Sequence, residues 1–289
     1  MTEPGPAVRG HHEDLATRGQ SVRPEALAAA HGSAPLEGLD WLGRDPDGHL
    51  GPLARLLLDV ADLAVARLAA VRVTVDGREH VPATGGYLVA AALHRAWIDP
   101  LVAIRALPRE PRPWFIGSGP STFRSRWREG LLRHIGGILP VWRGGADADV
   151  HVRAARAVVE AGCPFIIFIE GATAGAPDRV NRVRAGVGLL ALRLVDVPIV
   201  GLGLAGSDDL YRGKRVAVRL LEPITARELV GADWPPVPPP AGTRDELRLA
   251  RLVTDRLATR LQATVAELYP PTVDPPDRPR RWRWLRGLF

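Results

Sequence analysis

Residues 88–107, "LVAAALHRAWIDPLVAIRAL", join a short apolar run to a second apolar segment through a polar bend. The first run is almost continuously apolar, which is typical of a strand buried on both faces of a sheet. The second segment begins with Asp99 and Pro100, which predict a helix with aspartate at its cap and proline in its first turn. A buried strand that leads directly into a helix is the repeating unit of an α/β fold.

The same alternation of extended and helical patterns continues from about residue 52. Extended segments are predicted at 71–77, 87–93, 113–117, 138–143, 164–171, 198–204 and 215–224. Helices are predicted at 99–107, 126–137, 147–162, 185–197 and 243–268, the last with Thr243 and Glu246 at capping-box spacing. We therefore expect an α/β domain with a mixed, largely parallel sheet flanked by helices and followed by a C-terminal amphipathic helix.

Composition divides the chain into five predicted segments. Residues 1–45 are rich in glycine, proline, alanine and charge, and we expect them to be disordered or loosely attached. Residues 46–232 form the predicted α/β domain, and the proline-rich stretch 233–242 is a semi-rigid linker. The C-terminal helix occupies 243–270, and a basic tail containing tryptophan and arginine follows at 271–289.

The charge balance of the 289-residue chain limits the classes of partner. The net charge is +6, and Lys214 is the only lysine, so a general preference for arginine explains the balance better than phosphate binding does. No helix-turn-helix, zinc or RNP-type motif is present, and no nucleic-acid partner is predicted. A single cysteine, Cys163, excludes an internal disulfide framework and a cysteine-based zinc site. We predict no metal site.

Three segments bear on secretion or membrane association. The chain begins with polar residues, so no secretory signal is predicted. Residues 52–73 are the best candidate for a spanning helix, but four charged side chains interrupt them, each costing roughly 2.5–3.5 kcal/mol at a bilayer centre. Their leucines recur at helical spacing, which favours an amphipathic helix packed on the core over one docked on a membrane. In the tail, 275–289, alternating arginine and tryptophan suit a lipid interface; a solvent-exposed or core-docked tail is the alternative.

His94 and Asp99 are the candidate reactive pair. His94 follows a buried strand, where open α/β sheets place their ligand sites, and histidine is suited to take a proton near neutral pH. If the chain turns between them, Asp99 can hydrogen-bond the imidazole and set its tautomer. The alternative is that Asp99 only caps a helix. No G-x-S-x-G nucleophile elbow is present, so His94 would take its proton from a substrate hydroxyl, in direct group transfer.

Four motifs stand in order between residues 70 and 225. They are "HRAWID" (94–99), "GGILPVWRG" (136–144), "FIEGATAG" (168–175) and "VPIVGLGL" (197–204), the last preceded by "VRAG" (183–186). In order and spacing they resemble the H-x4-D, G-x-x-P-V-x-R, F-P-E-G-T-R and V-P-I-V-P blocks, with an F-K-x-G stretch, of the 1-acylglycerol-3-phosphate acyltransferases. These belong to the wider glycerolipid acyltransferase family.

The resemblance implies an O-acyltransferase of phospholipid synthesis. It would move a fatty acyl group from acyl-CoA or acyl carrier protein, as co-substrate and not as a bound cofactor, to a hydroxyl of a lysophospholipid-type acceptor. His94 would be the general base and Asp99 its orienter. The implied location is the cytoplasmic face of the membrane, as a peripheral protein without a transmembrane helix. The implied substrate-binding residues are Arg143, Glu170, Gly171, Thr173 and Arg184, with Glu170 and Gly171 at the mouth of the site.

Departures from the family motifs leave the acceptor open. Leu93 replaces a common asparagine and Ile169 the usual proline. Ala172 and Thr173 stand at the Thr-Arg positions of the third motif, which removes a charge-assisted phosphate contact worth about 1.5–3 kcal/mol. The candidates to replace that charge are Arg179, Arg182 and Arg184. The alternatives are an acyltransferase with a non-phosphate acceptor and a non-catalytic protein that binds a lipid or an acyl chain.

Overall fold

The computed structural model describes residues 51–63, 71–96, 98–118, 137–141, 148–171, 175–194 and 196–274. The strands are β1 Arg72–Asp76, β2 Leu88–Ala92, β3 Trp114–Ser118, β4 Ile138–Val141, β5 Phe165–Phe168, β6 Ile199–Ala205 and β7 Arg215–Leu220. The α-helices are α1 Pro52–Leu63, α2 Asp99–Ala106, α3 Ala148–Glu160, α4 Gly186–Arg193, α5 Ala226–Val230 and α6 Arg244–Leu268. Short 3-10 helices occur at Arg78–His80, Gly231–Asp233 and Pro270–Thr272.

Within these described ranges the strands form one seven-stranded sheet in the order β1-β7-β6-β2-β5-β3-β4. Every neighbouring pair is parallel except β6 and β7, which are antiparallel. The predicted mixed, largely parallel sheet flanked by helices is therefore confirmed. Pro140 lies in β4, an edge strand of this sheet, where a residue without an N–H is tolerated.

Strand β2 lies at the centre of the sheet, between β5 and β6. Leu88 is in register with Phe165 on one side and with Ile199 on the other. All five residues of β2 are completely buried, as the continuous apolar run predicted. The strand that leads to His94 is therefore fully buried and paired on both sides.

Alternate side chains of the sheet face two apolar layers. Leu88, Ala90 and Ala92 belong to the layer covered by α3, α4, α5 and α6, while Val89 and Ala91 belong to the layer covered by α2. Helix α6 lies against α4 and β6, so the C-terminal helix is part of the core. At the start of α6, Thr243 accepts the N–H of Glu246 (3.2 Å), but the Glu246 carboxylate accepts from Gly242 and not from Thr243. The predicted capping box is thus half formed.

Helix α1 differs from its prediction. Its apolar residues Leu53, Leu56, Val60 and Leu63 are 50–58% exposed, so the expected packing on the core is wrong. The structure connects α1 to the loop after α2 through ion pairs of Arg55 and Asp59, which lie beside the leucine stripe on the helix. None of the described helices has both the length and the apolar composition needed to cross a bilayer.

Three predicted segments lie outside the described residues. They are the N-terminal segment 1–45, the helix at 126–136 and the Arg/Trp tail from residue 275 onward.

Candidate active site

The site is built where parallel strands end together. Because β2, β5 and β6 are parallel, their carboxyl ends lie along one edge of the sheet. His94 follows β2 by two residues, and Glu170 follows β5 by two residues. The side chains predicted from separate motifs therefore meet at this edge.

His94 and Asp99 are in contact. Nδ1 of His94 lies 3.2 Å from Oδ2 of Asp99, and the Asp99 side chain is fully buried while that of His94 is 18% exposed. The same Oδ2 accepts the N–H groups of Arg95 and Ala96, so the carboxylate bends the chain back on itself. The predicted capping role of Asp99 is wrong. Helix α2 starts at Asp99, Ile98 is the cap residue without a side-chain bond, and the carboxylate bonds to the preceding loop instead.

This arrangement orients the imidazole. A carboxylate that accepts from Nδ1–H leaves Nε2 with the free lone pair, which is the requirement for a general base. The Phe168 ring stacks on the His94 ring, with centroids 4.4 Å apart and planes at 26°. Phe168 thus holds the face of the ring while Asp99 holds its edge. The sequence analysis missed Phe168, although it is the first residue of the third motif.

The Glu170 side chain is buried and contacts the backbone of His94. Its side chain is 3% exposed, and its two oxygens accept from Arg95 (2.8 and 2.9 Å), from the Asn181 N–H (2.8 Å) and from the His94 N–H (3.0 Å). Burial raises the pKa of the Glu170 carboxyl, but these hydrogen bonds outweigh burial and hold the pKa below its ordinary value. The carboxylate is therefore ionised and bonded to protein donors.

Gly171 and Arg184 lie together. Gly171 has φ +64°, and a Cβ at this position would lie 2.7 Å from Cδ of Arg184. The Arg184 N–H donates to the Ile169 carbonyl (2.9 Å), which ties the exposed arginine to the end of β5. The Gly171 N–H donates to the Phe168 carbonyl (3.1 Å). The structure thus brings Arg184 beside the third motif.

Arg143, Ala172 and Thr173 lie outside the described residues. Arg179 and Arg182 are both exposed, in the loop between β5 and α4. A cavity of about 550 Å³ lies beside this loop, lined by Asp178, Arg179, Val180, Gln262, Ala266, Tyr269 and Pro270. In the part of the chain described, no group of three or more His, Cys, Asp or Glu side chains could hold a metal ion.

Arg95 and Asn181 are the main residues that the sequence analysis missed. Arg95 is the second residue of the first motif, and its side chain is 4% exposed. The sequence does carry a signal for this pair, because Arg95 follows one buried strand and Glu170 follows another. Their pairing follows only from β2 and β5 being adjacent.

Comparison with known proteins gives a family match over part of the chain. Residues 72–205, which span β1 to β6 and contain both His94 and Asp99, match the family model described as Acyltransferase. Solved structures similar to this chain include the 1-acyl-sn-glycerophosphate (LPA) acyltransferase PlsC from Thermotoga maritima. That structure is 18% identical, with a TM-score of 0.49 over 74% of this chain and 80% of that chain. Among curated proteins, none matches significantly. The matched residues contain all four motifs, so the family match supports the resemblance that these motifs indicate.

Proposed function

We propose that this protein transfers a fatty acyl group from a thioester, acyl-CoA or acyl carrier protein, to a hydroxyl of a lysophospholipid-type acceptor. The observation that carries the proposal is the contact of His94 Nδ1 with the buried Asp99 carboxylate, at the strand-end edge of an acyltransferase-family domain. This contact prepares a partly exposed imidazole to accept a proton.

In the proposed reaction, Nε2 of His94 takes the proton of the acceptor hydroxyl as the hydroxyl oxygen attacks the thioester carbonyl. The tetrahedral intermediate then breaks its carbon–sulfur bond. The imidazolium returns its proton to the departing sulfur, and Asp99 stabilises the imidazolium between these steps. The products are the acylated lipid and a free thiol, and His94 is regenerated.

Arg184 supports a phosphate-bearing acceptor. It lies beside Gly171, next to the motif in which Ala172 and Thr173 replace the family's Thr-Arg pair. We assign Arg184 to the acceptor phosphate because a guanidinium offers paired donors to phosphate oxygens. Arg143 and Thr173 remain proposed substrate contacts from the family resemblance.

Association with a membrane surface is also part of the proposal. The exposed leucine face of α1 is an apolar surface suited to the headgroup boundary of a bilayer. The Arg/Trp tail remains a second proposed membrane contact on its sequence. We propose the cytoplasmic face of the membrane as its location, as the family resemblance implies.

The test is an acyl-transfer assay with radiolabelled acyl-CoA and acyl carrier protein against a panel of lysolipids with and without a terminal phosphate. We expect His94→Ala to lower kcat by on the order of 100-fold or more, and Asp99→Asn to lower it as well. The matched control is His80→Ala, because the His80 ring bonds to the carbonyl of Leu220, the last residue of β7, a strand that β6 separates from β2.

Two outcomes oppose the proposal. Full turnover by His94→Ala removes His94 as the base. Tight binding of lysolipid by the wild-type protein with no turnover on any donor favours the non-catalytic alternative, to which the altered third motif lends weight.

A further inference from the structure

Arg95 is buried with its guanidinium fully occupied. Its Nη1 donates to the His94 carbonyl (2.8 Å) and to Glu170 Oε2 (2.9 Å), and its Nη2 donates to Glu170 Oε1 (2.8 Å). Its Nε donates to the Ala176 carbonyl (2.9 Å), and Nη2 also donates to the Arg179 carbonyl (2.8 Å). One side chain therefore joins the first motif, the third motif and the loop that follows it.

The Arg95–Glu170 pair holds His94 by both of its backbone groups. Glu170 Oε2 accepts the His94 N–H (3.0 Å), while Arg95 donates to the His94 carbonyl. The imidazole projects from a peptide that an ion pair fixes on each side. A shift of about 1 Å in a reacting group can cost on the order of 100-fold in rate, so this geometry bears directly on the base.

The same pair fixes the loop that carries the candidate phosphate-binding arginines. Residues 175–181 are tied to it through the carbonyls of Ala176 and Arg179 and through the Asn181 N–H, which donates to Glu170. Arg184 follows three residues after Asn181. The Arg95–Glu170 ion pair therefore contacts both the proposed base and the loop that leads to Arg184.

A second bidentate pair in the molecule lacks these connections. Arg193 donates to both Glu246 oxygens (2.7 and 2.9 Å) and joins α4 to α6. Arg193 is the last residue of α4, about 10 Å along the helix axis from the first residue, Gly186. The chemistry of the two pairs is the same, and only one of them touches His94.

We propose that Arg95 and Glu170 are positioning residues, which hold His94 and the loop 175–181 as one unit. The inference rests on the proposed role of His94 as general base. It assigns Glu170 to the support of the base and not to contact with substrate.

Kinetics test the assignment. We expect Arg95→Met and Glu170→Gln each to lower kcat by about 100-fold, with the KM for the acyl donor little changed. Arg95→Lys keeps one charge but not the forked donors, so kcat should recover only in part. The double variant should lose little more than either single variant, because both remove the same contact. Arg193→Met and Glu246→Gln, with comparable loss of packing, should keep kcat within a few-fold.

An exchange measurement separates this inference from the proposed function. Amide hydrogen exchange at His94 needs no turnover, and protection of its N–H should fall at least tenfold in Arg95→Met and Glu170→Gln but not in Arg193→Met. Absence of acyl transfer in the wild type, with this exchange pattern, rejects the acyltransferase reaction and keeps the positioning role.

Wild-type kcat and wild-type protection in folded Arg95→Met overturn the inference. So does a Glu170→Gln variant that changes only the KM for the acceptor. If Arg95→Met fails to fold, the same measurements on Arg95→Lys and Glu170→Gln test the inference.

Discussion

At Gly171 the absence of a side chain leaves the space in which Arg184 lies. The backbone there has φ +64°, a left-handed conformation that L side chains rarely adopt, and Arg184 occupies the space where a Cβ would be. Arg184 can lie against the end of β5 because residue 171 lacks a side chain. The glycine of the third motif therefore serves the neighbouring arginine as well as the turn.

Replacing Gly171 by alanine should act on the acceptor more than on the fold. The left-handed conformation costs about 1–2 kcal/mol with a Cβ present, and Arg184 must move away from it. We expect the KM for a phosphate-bearing lysolipid to rise several-fold, measured in the acyl-transfer assay.

Gly162→Ala is the matched control for this change. Gly162 has φ +85°, but no atom lies within 4 Å of the position that its Cβ would take. It should show a similar loss of stability by thermal melting with an unchanged KM. Equal kinetic effects of the two substitutions would remove Arg184 from the acceptor site.

At the scale of single elements, α1 shows that an amphipathic pattern alone does not determine what the apolar face of a helix contacts. This helix has an apolar stripe, but its ion pairs to the loop after α2 come from Arg55 and Asp59, which lie beside that stripe. The leucine stripe is left on the surface, where exposed apolar area is typical of an interaction site.

Membrane binding through α1 predicts a large effect of removing two leucines. Leu53 and Leu56 are both at least half exposed, and each buried leucine side chain is worth about 1.5–3 kcal/mol. The double variant Leu53→Ser, Leu56→Ser should bind anionic liposomes at least tenfold more weakly in a sedimentation assay.

The control for that experiment changes exposed valines elsewhere. Val237 and Val273 are 76% and 48% exposed and lie outside α1. Replacing both by serine should leave liposome binding unchanged. Equal binding by the α1 variant and the wild type would mean that α1 is not the membrane contact.

At the scale of the whole molecule, two buried Arg–Glu pairs make folding stability depend on pH. A hydrogen bond from Arg193 is the largest influence on the pKa of Glu246 and holds it below its usual value, and the pKa of Glu170 is lowered as well. A carboxyl whose pKa is lower in the folded state stabilises the fold above its unfolded pKa, about 4.3 for glutamate. That contribution is lost as the pH falls through the lower, folded pKa.

Urea unfolding of Glu246→Gln checks this linkage with a residue remote from His94. At pH 7 the variant should be less stable by about 1.5–3 kcal/mol, since it loses charge-assisted hydrogen bonds from Arg193. The difference from wild type should shrink as the pH falls below about 4.3, because protonation then removes the same charge from the wild type. A difference that stays constant down to acid unfolding would show that the pair does not carry the pH dependence.

Much of the fold follows from local pattern. The apolar run of β2, the strand signals around it and the glycine that ends α3 indicate their own structures, because burial on both faces needs uninterrupted apolar residues. The first motif contains both His94 and Asp99, so their contact could be predicted from the sequence. The cap at Asp99 was wrong because the carboxylate bonds to Arg95 and Ala96, a choice that helix-start statistics do not contain.

The amino-acid sequence by itself determined the α/β class, the pairing of His94 with Asp99 and the resemblance to the acyltransferases, since each depends on neighbouring residues or short motifs. Only the tertiary structure decided that Arg95 pairs with Glu170, 75 residues away, and that α1 turns its leucines outward. The physical reason is that such contacts depend on which strands are adjacent and on which face of a helix lies toward the domain. Strand order and helix docking are set by the packing of the whole chain, and no local periodicity encodes them.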